Sequence, residues 1–184
     1  MELGSLFTKV IALGTLFEDV LLIALLLLYL MRNPIATMLY RWSARHALIL
    51  GFLMSASATI GSLLYSEVVG FPACILCWTQ RIFMYPMMFL FALAFYRKDG
   101  NIFVYTLLLS LIGGSVALYQ WIKDMLASYS HTTLPCPAVS DLPSCDKIFV
   151  FEYGYITIPM FALTAFIVIA LVSYFAIRSR KNEQ

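Results

Sequence analysis

Long runs of apolar residues, separated by short polar stretches, extend along almost the whole chain. A helix that crosses the hydrocarbon core of a membrane needs about 20 mostly apolar residues. Four segments meet this requirement, at about 47–65, 79–96, 102–122 and 155–177. The pattern therefore predicts an all-α, polytopic membrane helical bundle with a four-helix core.

A further apolar run, at about 10–31, carries Glu18 and Asp19 near its middle. A charged side chain at the centre of a bilayer costs about 2.5–3.5 kcal/mol. Without the two acids, Val20–Met31 is only 12 residues long and too short to span. The run is either a fifth spanning helix with both acids facing the bundle or the interface, or an interfacial or re-entrant segment. We favour the fifth spanning helix. A cleaved signal peptide is disfavoured, because the cations follow the apolar run and no small-x-small cleavage site is evident.

The composition agrees with a membrane protein. The 184 residues are 62% hydrophobic and 12% charged, with a mean hydropathy of +0.88, whereas soluble domains are about half apolar and a quarter charged. The net charge of +2 is small, and the sequence has no basic patch or Gly-rich phosphate loop. These features argue against a nucleic-acid partner.

Lysine and arginine are concentrated in alternate connections between the apolar segments. Eight of them lie in 32–46, in 97–101 and in the tail, namely Arg32, Arg41, Arg45, Arg97, Lys98, Arg178, Arg180 and Lys181. The positive-inside rule places these parts in the cytoplasm. The chain then divides into an N-terminal apolar segment with its cytoplasmic connection (1–46), a core with two exterior loops (47–180) and a cytoplasmic tail (181–184).

All four cysteines fall in the two exterior loops of this topology. Cys74 and Cys77 lie in the first loop, and Cys136 and Cys145 lie in the second. The outer face of a cell membrane is the compartment in which disulfides form and persist. The distribution of the thiols therefore indicates disulfide chemistry outside the cytoplasm.

Cys74 and Cys77 form a C-x-x-C pair directly before the predicted helix at 79–96. A helix N-terminus favours a thiolate, and Arg81 lies one turn beyond Cys77. Both effects predict a lowered pKa for Cys77, which would make it a good leaving group. Arg81 is either an interfacial arginine that reaches lipid headgroups or a fixed charge for a thiolate and a developing quinol anion. We favour a redox pair over a static disulfide, because a bridge across so short a loop stabilises little.

Cys136 and Cys145 are separated by eight residues in a proline-rich segment that predicts an exposed, extended loop. Taken alone, the pair fits a structural disulfide as well as a labile, redox-active one. Beside an exterior C-x-x-C pair, an exposed and labile disulfide that relays electrons is favoured. A four-thiol zinc site is disfavoured, because zinc ribbons use two tight C-x-x-C knuckles and the second pair is wide.

Residues 74–81 (CILCWTQR), the following 82–86 (IFMYP), the second cysteine pair and the helix start at 155–159 (YITIP) resemble the DsbB/BdbC family of membrane disulfide-forming, quinone-reducing proteins. The resemblance covers about 47–180. It implies a four-helix bundle in the bacterial cytoplasmic (inner) membrane, with the cysteine loops outside and the C-terminus in the cytoplasm.

The resemblance also implies an electron route. A reduced, exported thioredoxin-fold thiol oxidase, DsbA-like or BdbD-like, would attack the Cys136–Cys145 disulfide at Cys136. The electrons would pass to the Cys74–Cys77 disulfide. Cys77, with Arg81 nearby, would then reduce a bound ubiquinone or menaquinone.

Two features depart from the family pattern. The first 45 residues add an apolar segment, and Gln120 stands where many relatives carry a histidine, which puts that histidine's role in doubt for this chain. A vitamin-K-epoxide-reductase-like enzyme is the nearest alternative, but there the loop cysteines precede the C-x-x-C pair. A non-catalytic membrane protein with two structural exterior disulfides is the alternative from another class.

Overall fold

A computed structural model describes residues 2–31, 33–132, 134–136, 143–145 and 147–181. Within these residues the chain forms six α-helices, which are α1 (Glu2–Leu30), α2 (Pro34–Arg45), α3 (Ala47–Leu63), α4 (Ile75–Arg97), α5 (Ile102–Ser130) and α6 (Ile158–Lys181). A π-helical turn at Leu64–Val68 continues α3. Five helices of the described chain, all except α2, are long and apolar enough to cross a membrane. The predicted polytopic helical bundle is confirmed.

The centre of the bundle is formed by α3, α4, α5 and α6 around a core that includes Met87, Phe91 and Phe166. Close approach of the helices depends on small residues. A Cβ atom at Gly113 of α5 would overlap the ring of Phe166 in α6, and one at Gly51 of α3 would overlap the ring of Phe91 in α4. Packing through small residues is the usual way in which helices associate in membranes.

The cation-rich connections lie together at one end of the bundle. Tyr40 of α2 packs edge-on against Phe175 of α6, with ring centroids 5.0 Å apart. Arg180 near the end of α6 lies 5.8 Å from the ring centre of Phe103, at the start of α5. Arg32 and the tail residues 182–184 of the predicted cytoplasmic side lie outside the described residues. The described cations of this side thus share one end, as the charge pattern requires.

Helix α2 was expected only as a connection. Its first turn is capped by Asn33, whose side-chain oxygen accepts a hydrogen bond of 2.9 Å from the backbone N–H of Ile35, and Pro34 occupies the first helical position. Ile35, Met38 and Trp42 are exposed along one side of this helix. A short helix with an exposed apolar side is typical of a segment that lies in the membrane interface.

Helix α1 is held to the bundle through one of its two acids. The Asp19 carboxylate is only 8% exposed. It accepts hydrogen bonds from the hydroxyls of Thr164, at 2.7 Å, and Tyr155, at 3.1 Å. Burial, and then the charge of Asp19, raises the pKa of Tyr155 to about 12. Tyr155 therefore stays protonated and donates, and Asp19 has the interior position predicted for a fifth helix.

The variant Asp19→Ala should loosen α1 from α6. Removal of the carboxylate leaves the buried Thr164 hydroxyl without its acceptor. Hydrogen bonds to charged groups contribute about 1.5–3 kcal/mol each to stability. We expect faster backbone hydrogen exchange in α1 and a lower midpoint of thermal unfolding in detergent. Asp19→Asn is the matched control, because its amide oxygen still accepts a hydrogen bond. Equal exchange in the wild type and Asp19→Ala would contradict this anchoring role.

Candidate active site

The four cysteines lie together at the end of the bundle opposite the cation-rich connections. Cys136 and Cys145 form a disulfide with their Cα atoms 6.2 Å apart. Cys74 and Cys77 are free thiols with their sulfurs 3.3 Å apart. Cys74 and Cys145 belong to one buried cluster, against which Cys77 and Cys136 pack. The structure therefore brings both predicted cysteine pairs into one site. The loop between the second pair falls largely on 137–142, outside the described residues.

The C-x-x-C pair begins α4 one turn earlier than the sequence predicts. Cys74 is the N-cap, with the extended backbone angles φ −75° and ψ 174°, and Cys77 is already the third residue of the helix. The hydrogen bond with Cys77 lowers the pKa of Cys74 to about 6. Burial opposes this shift, and the backbone N–H groups of Cys77 and Leu76 add to it. In the reduced pair the helix end favours the thiolate on Cys74, whereas the lowered pKa of Cys77 stays a prediction.

Gln120 contacts the two sulfurs and is itself hydrogen-bonded to a second glutamine, Gln80. The side-chain nitrogen of Gln120 lies 3.4 Å from the sulfur of Cys77 and 3.6 Å from that of Cys74. The Gln120 oxygen accepts a hydrogen bond of 2.7 Å from the side-chain nitrogen of Gln80. Sequence reasoning singled out Gln120 only as a departure from relatives, and it missed Gln80. The position of Gln80 could have indicated its role, because it lies three residues beyond Cys77 and shares a helix face with it.

Arg81 is held by α3 and by its own helix. Its Nε donates a hydrogen bond to the Ser62 hydroxyl, at 3.0 Å, and one terminal nitrogen donates to the Ser62 carbonyl, at 3.1 Å. The guanidinium lies 5.2 Å from the ring centre of Trp78. Tyr85 also donates to the Ser62 hydroxyl, at 3.3 Å. These contacts fix the cation within the protein, at the wall of a cavity.

A cavity of about 390 Å³ adjoins the C-x-x-C pair. It is bounded by α1, α3, α4, α5, α6 and the loops before α4 and α6, and its lining includes Cys77, Arg81 and Gln120. Gly14 of α1 and Gly61 of α3 also line it, and a Cβ atom at either position would meet nothing within 4 Å. Cavities of about 300–1,000 Å³ with apolar walls and a few polar groups are typical of small-molecule sites.

The second cysteine pair is fastened to α5. The buried Lys123 donates a hydrogen bond of 2.8 Å to the carbonyl of Cys145. Tyr119 donates to the carbonyl of Pro135, at 2.6 Å, beside Cys136. Sequence reasoning missed this role of Lys123, because nothing in its surroundings along the chain indicates burial. These contacts hold the loop disulfide beside Cys74.

Proteins similar in sequence to this chain are named for disulfide bond formation, in agreement with a site built from two cysteine pairs. The family described as "Disulfide bond formation protein DsbB" matches residues 44–176. The chain is 36% identical over 135 residues to the probable disulfide formation protein C 1 of Bacillus anthracis, covering 73% of this chain and 94% of that protein. It is 33% identical over 120 residues to disulfide bond formation protein C of Bacillus subtilis (strain 168), covering 65% and 84%. No solved structure matches the chain. Helix α1 and almost all of α2 precede the matched region.

Proposed function

Because the chain belongs to the DsbB family and is a membrane oxidoreductase of disulfide bond formation, we propose that it re-oxidises an exported thioredoxin-fold thiol oxidase and passes the electrons to a membrane quinone. The observation that carries the proposal is the single cluster of the two cysteine pairs, with a cavity beside one of them. A dissolved dithiol can reach an exterior loop, whereas a quinone dissolved in lipid cannot leave the membrane. A relay between two adjacent pairs connects these two substrates.

The first step takes place at the loop disulfide. A thiolate of the partner attacks the sulfur of Cys136, a mixed disulfide forms, and Cys145 leaves as a thiolate. Cys145 then attacks Cys74 of the oxidised C-x-x-C pair, and Cys77 leaves as a thiolate. The buried contact between the pairs supports this transfer, because it needs no large movement of Cys145. The partner's second thiolate then attacks the mixed disulfide and releases Cys136, and Cys136 attacks Cys145 in the Cys145–Cys74 disulfide, which restores the loop disulfide and frees Cys74. Overall, the partner's dithiol becomes a disulfide, and its two electrons and two protons pass to the Cys74–Cys77 pair.

The cavity residues fit a quinone head group. Cys77, Arg81 and Thr157 all line the cavity, and the buried hydroxyl of Thr157 has no hydrogen-bond partner among the described residues. A quinone carbonyl oxygen would accept from a hydroxyl or guanidinium donor at this position. Cys77, Arg81 and Thr157 are therefore the residues that would hold the ring. A bound ubiquinone or menaquinone would supply the acceptor for two electrons and two protons.

The proposed orientation follows from the charge pattern. The cysteine site and the described cations of the predicted cytoplasmic side lie at opposite ends of the bundle. The positive-inside rule then places the cysteine site on the extracytoplasmic side of the bacterial inner membrane, with the C-terminus in the cytoplasm. On that side an exported oxidase has access to Cys136.

The variant Gly61→Leu tests the cavity as the quinone site. The added side chain enters open space in the structure, so the fold should tolerate it. In the occupied protein it would collide with the ligand, and overpacking costs about 1–3 kcal/mol. We expect the KM for quinone to rise by about tenfold or more, with unchanged reduction of the loop disulfide by a thioredoxin-fold dithiol.

Ile60→Phe is the matched control for that variant. Ile60 precedes Gly61 in α3, and its side chain is exposed, so the larger ring adds volume outside the cavity. Unchanged quinone kinetics in Gly61→Leu would place the quinone elsewhere. Equal losses in the two variants would indicate a general effect on α3.

A further inference from the structure

The amide of Gln120 is the polar group that touches both sulfurs of the C-x-x-C pair. Its nitrogen is within 3.4 Å of the sulfur of Cys77 and 3.6 Å of that of Cys74. The side chains of Gln80 and Gln120 are 6% and 5% exposed, so water does not compete freely for their hydrogen bonds. A thiolate accepts such bonds well, and hydrogen bonds to a charged group are about twice as strong as neutral ones.

The direction of the Gln120 amide decides its effect. A carboxamide can present either its NH2 group, which donates, or its oxygen, which only accepts. Gln80 donates to the Gln120 oxygen at 2.7 Å, and the NH2 group lies nearer the Cys77 sulfur, at 3.4 Å, than the oxygen does, at 3.9 Å. The opposite orientation would place a partial negative charge beside the thiolate.

We propose that Gln80 is a positioning residue that locks the amide of Gln120, and that Gln120 stabilises the reduced Cys74–Cys77 pair relative to its disulfide. The inference deepens the proposed function, on which its biological meaning rests. Disulfide sulfurs are weaker hydrogen-bond acceptors than a thiolate, so the donor favours the dithiol form. A pair whose reduced form is stabilised is a stronger oxidant. The two glutamines thus favour electron flow from the loop cysteines into the C-x-x-C pair.

The amide also has a chemical advantage over a titrating group at this position. It carries no proton that is gained or lost near neutral pH, and the donated hydrogen bond needs no charged residue. Cys74 already has a lowered pKa, of about 6, from its hydrogen bond with Cys77. Gln120 adds a fixed donor beside this thiol.

The test is the redox equilibrium of the C-x-x-C pair with glutathione, measured by alkylation of the purified full-length chain. A background with Cys136→Ala and Cys145→Ala leaves one titrating pair. Two glutathione thiols reduce the Cys74–Cys77 disulfide to the dithiol and become glutathione disulfide, so two electrons are exchanged. Gln120→Met, similar in size but without a donor, should shift the equilibrium about tenfold toward the disulfide, or about 30 mV.

A second variant and a double variant separate positioning from packing. Gln80→Met should shift the equilibrium in the same direction but less, because the freed amide still donates part of the time. The double variant should match Gln120→Met alone, since Gln80 acts only through Gln120. Thr79→Val is the control, because the Thr79 hydroxyl bonds to the carbonyl of Ile75 and not to a sulfur, and it should cause no shift.

Three results would overturn the inference. They are an unchanged equilibrium in Gln120→Met, additive shifts in the double variant, and a shift in Thr79→Val as large as that in Gln120→Met. Gln120→Leu, which has a different shape, guards against a packing artefact and should reproduce the direction of the shift. Because the assay contains no quinone and no protein partner, its outcome is independent of whether quinone is the acceptor.

Discussion

The variant Cys77→Ala is expected to lose quinone reduction, with a rate at least about three orders of magnitude below that of the wild type. Losses of this size are typical when a covalent catalyst loses a reacting group. Cys77 is the sulfur that leaves when Cys74 is attacked, and it lines the cavity with Arg81. Without it the C-x-x-C pair can form no internal disulfide. The measurement is the decrease in quinone absorbance after addition of a reduced thioredoxin-fold dithiol.

The control for this variant is Ile82→Val. Ile82 is exposed on the outer side of α4, one turn from Trp78, and its shortening should leave turnover unchanged. Full turnover in Cys77→Ala would exclude the relay. The alternative of a non-catalytic membrane protein makes a different prediction, namely that loss of Cys77 changes stability and that no quinone is reduced by either form.

The double variant Cys136→Ala/Cys145→Ala should separate the two halves of the relay. We expect oxidation of a reduced thioredoxin-fold protein to fall at least about a thousandfold, because its thiolate has no loop disulfide to attack. Quinone reduction driven by a small dithiol such as dithiothreitol should persist, since the small thiol can reach the half-buried Cys77 directly. The two activities are measured on the same preparation with the same quinone.

Two other outcomes of that experiment have clear meanings. Continued oxidation of the protein partner would show that the partner reaches the C-x-x-C pair without the loop cysteines. Loss of both activities, together with a lower unfolding temperature, would show that the loop disulfide is structural. The two activities of the double variant are compared with those of Lys123→Met. That variant loses the hydrogen bond to the Cys145 carbonyl but keeps both loop sulfurs.

The spans and the redox pair could be predicted because their signals are local. The length of an apolar run follows from membrane thickness, and the spacing of Cys74 and Cys77 is visible along the chain. The start of α4 at Ile75 was harder to predict from the sequence. Whether Cys74 or Cys77 caps the helix depends on a few backbone angles, and the thiolate position depends on that choice.

The contacts that complete the site join residues far apart in the sequence. Gln80 and Gln120 are 40 residues apart, and Asp19 is 145 residues from Thr164. Neither pair has a spacing that a single sequence reveals. The interior position of Asp19 was predicted only as one of two interpretations, because an acid in an apolar run fits a bundle-facing position or an interface equally well. The hydrogen bonds from Thr164 and Tyr155 to Asp19 favour the bundle-facing position.

Quinone reduction coupled to oxidation of a protein dithiol tests the central proposal most directly. Purified wild-type protein in detergent is mixed with ubiquinone or menaquinone and with a reduced thioredoxin-fold protein, and both products are quantified without oxygen. The proposal predicts one quinol for each disulfide formed in the partner protein, with neither product in Cys77→Ala. Disulfide formation in the partner without quinol, or quinol formation that persists in Cys77→Ala, would contradict it.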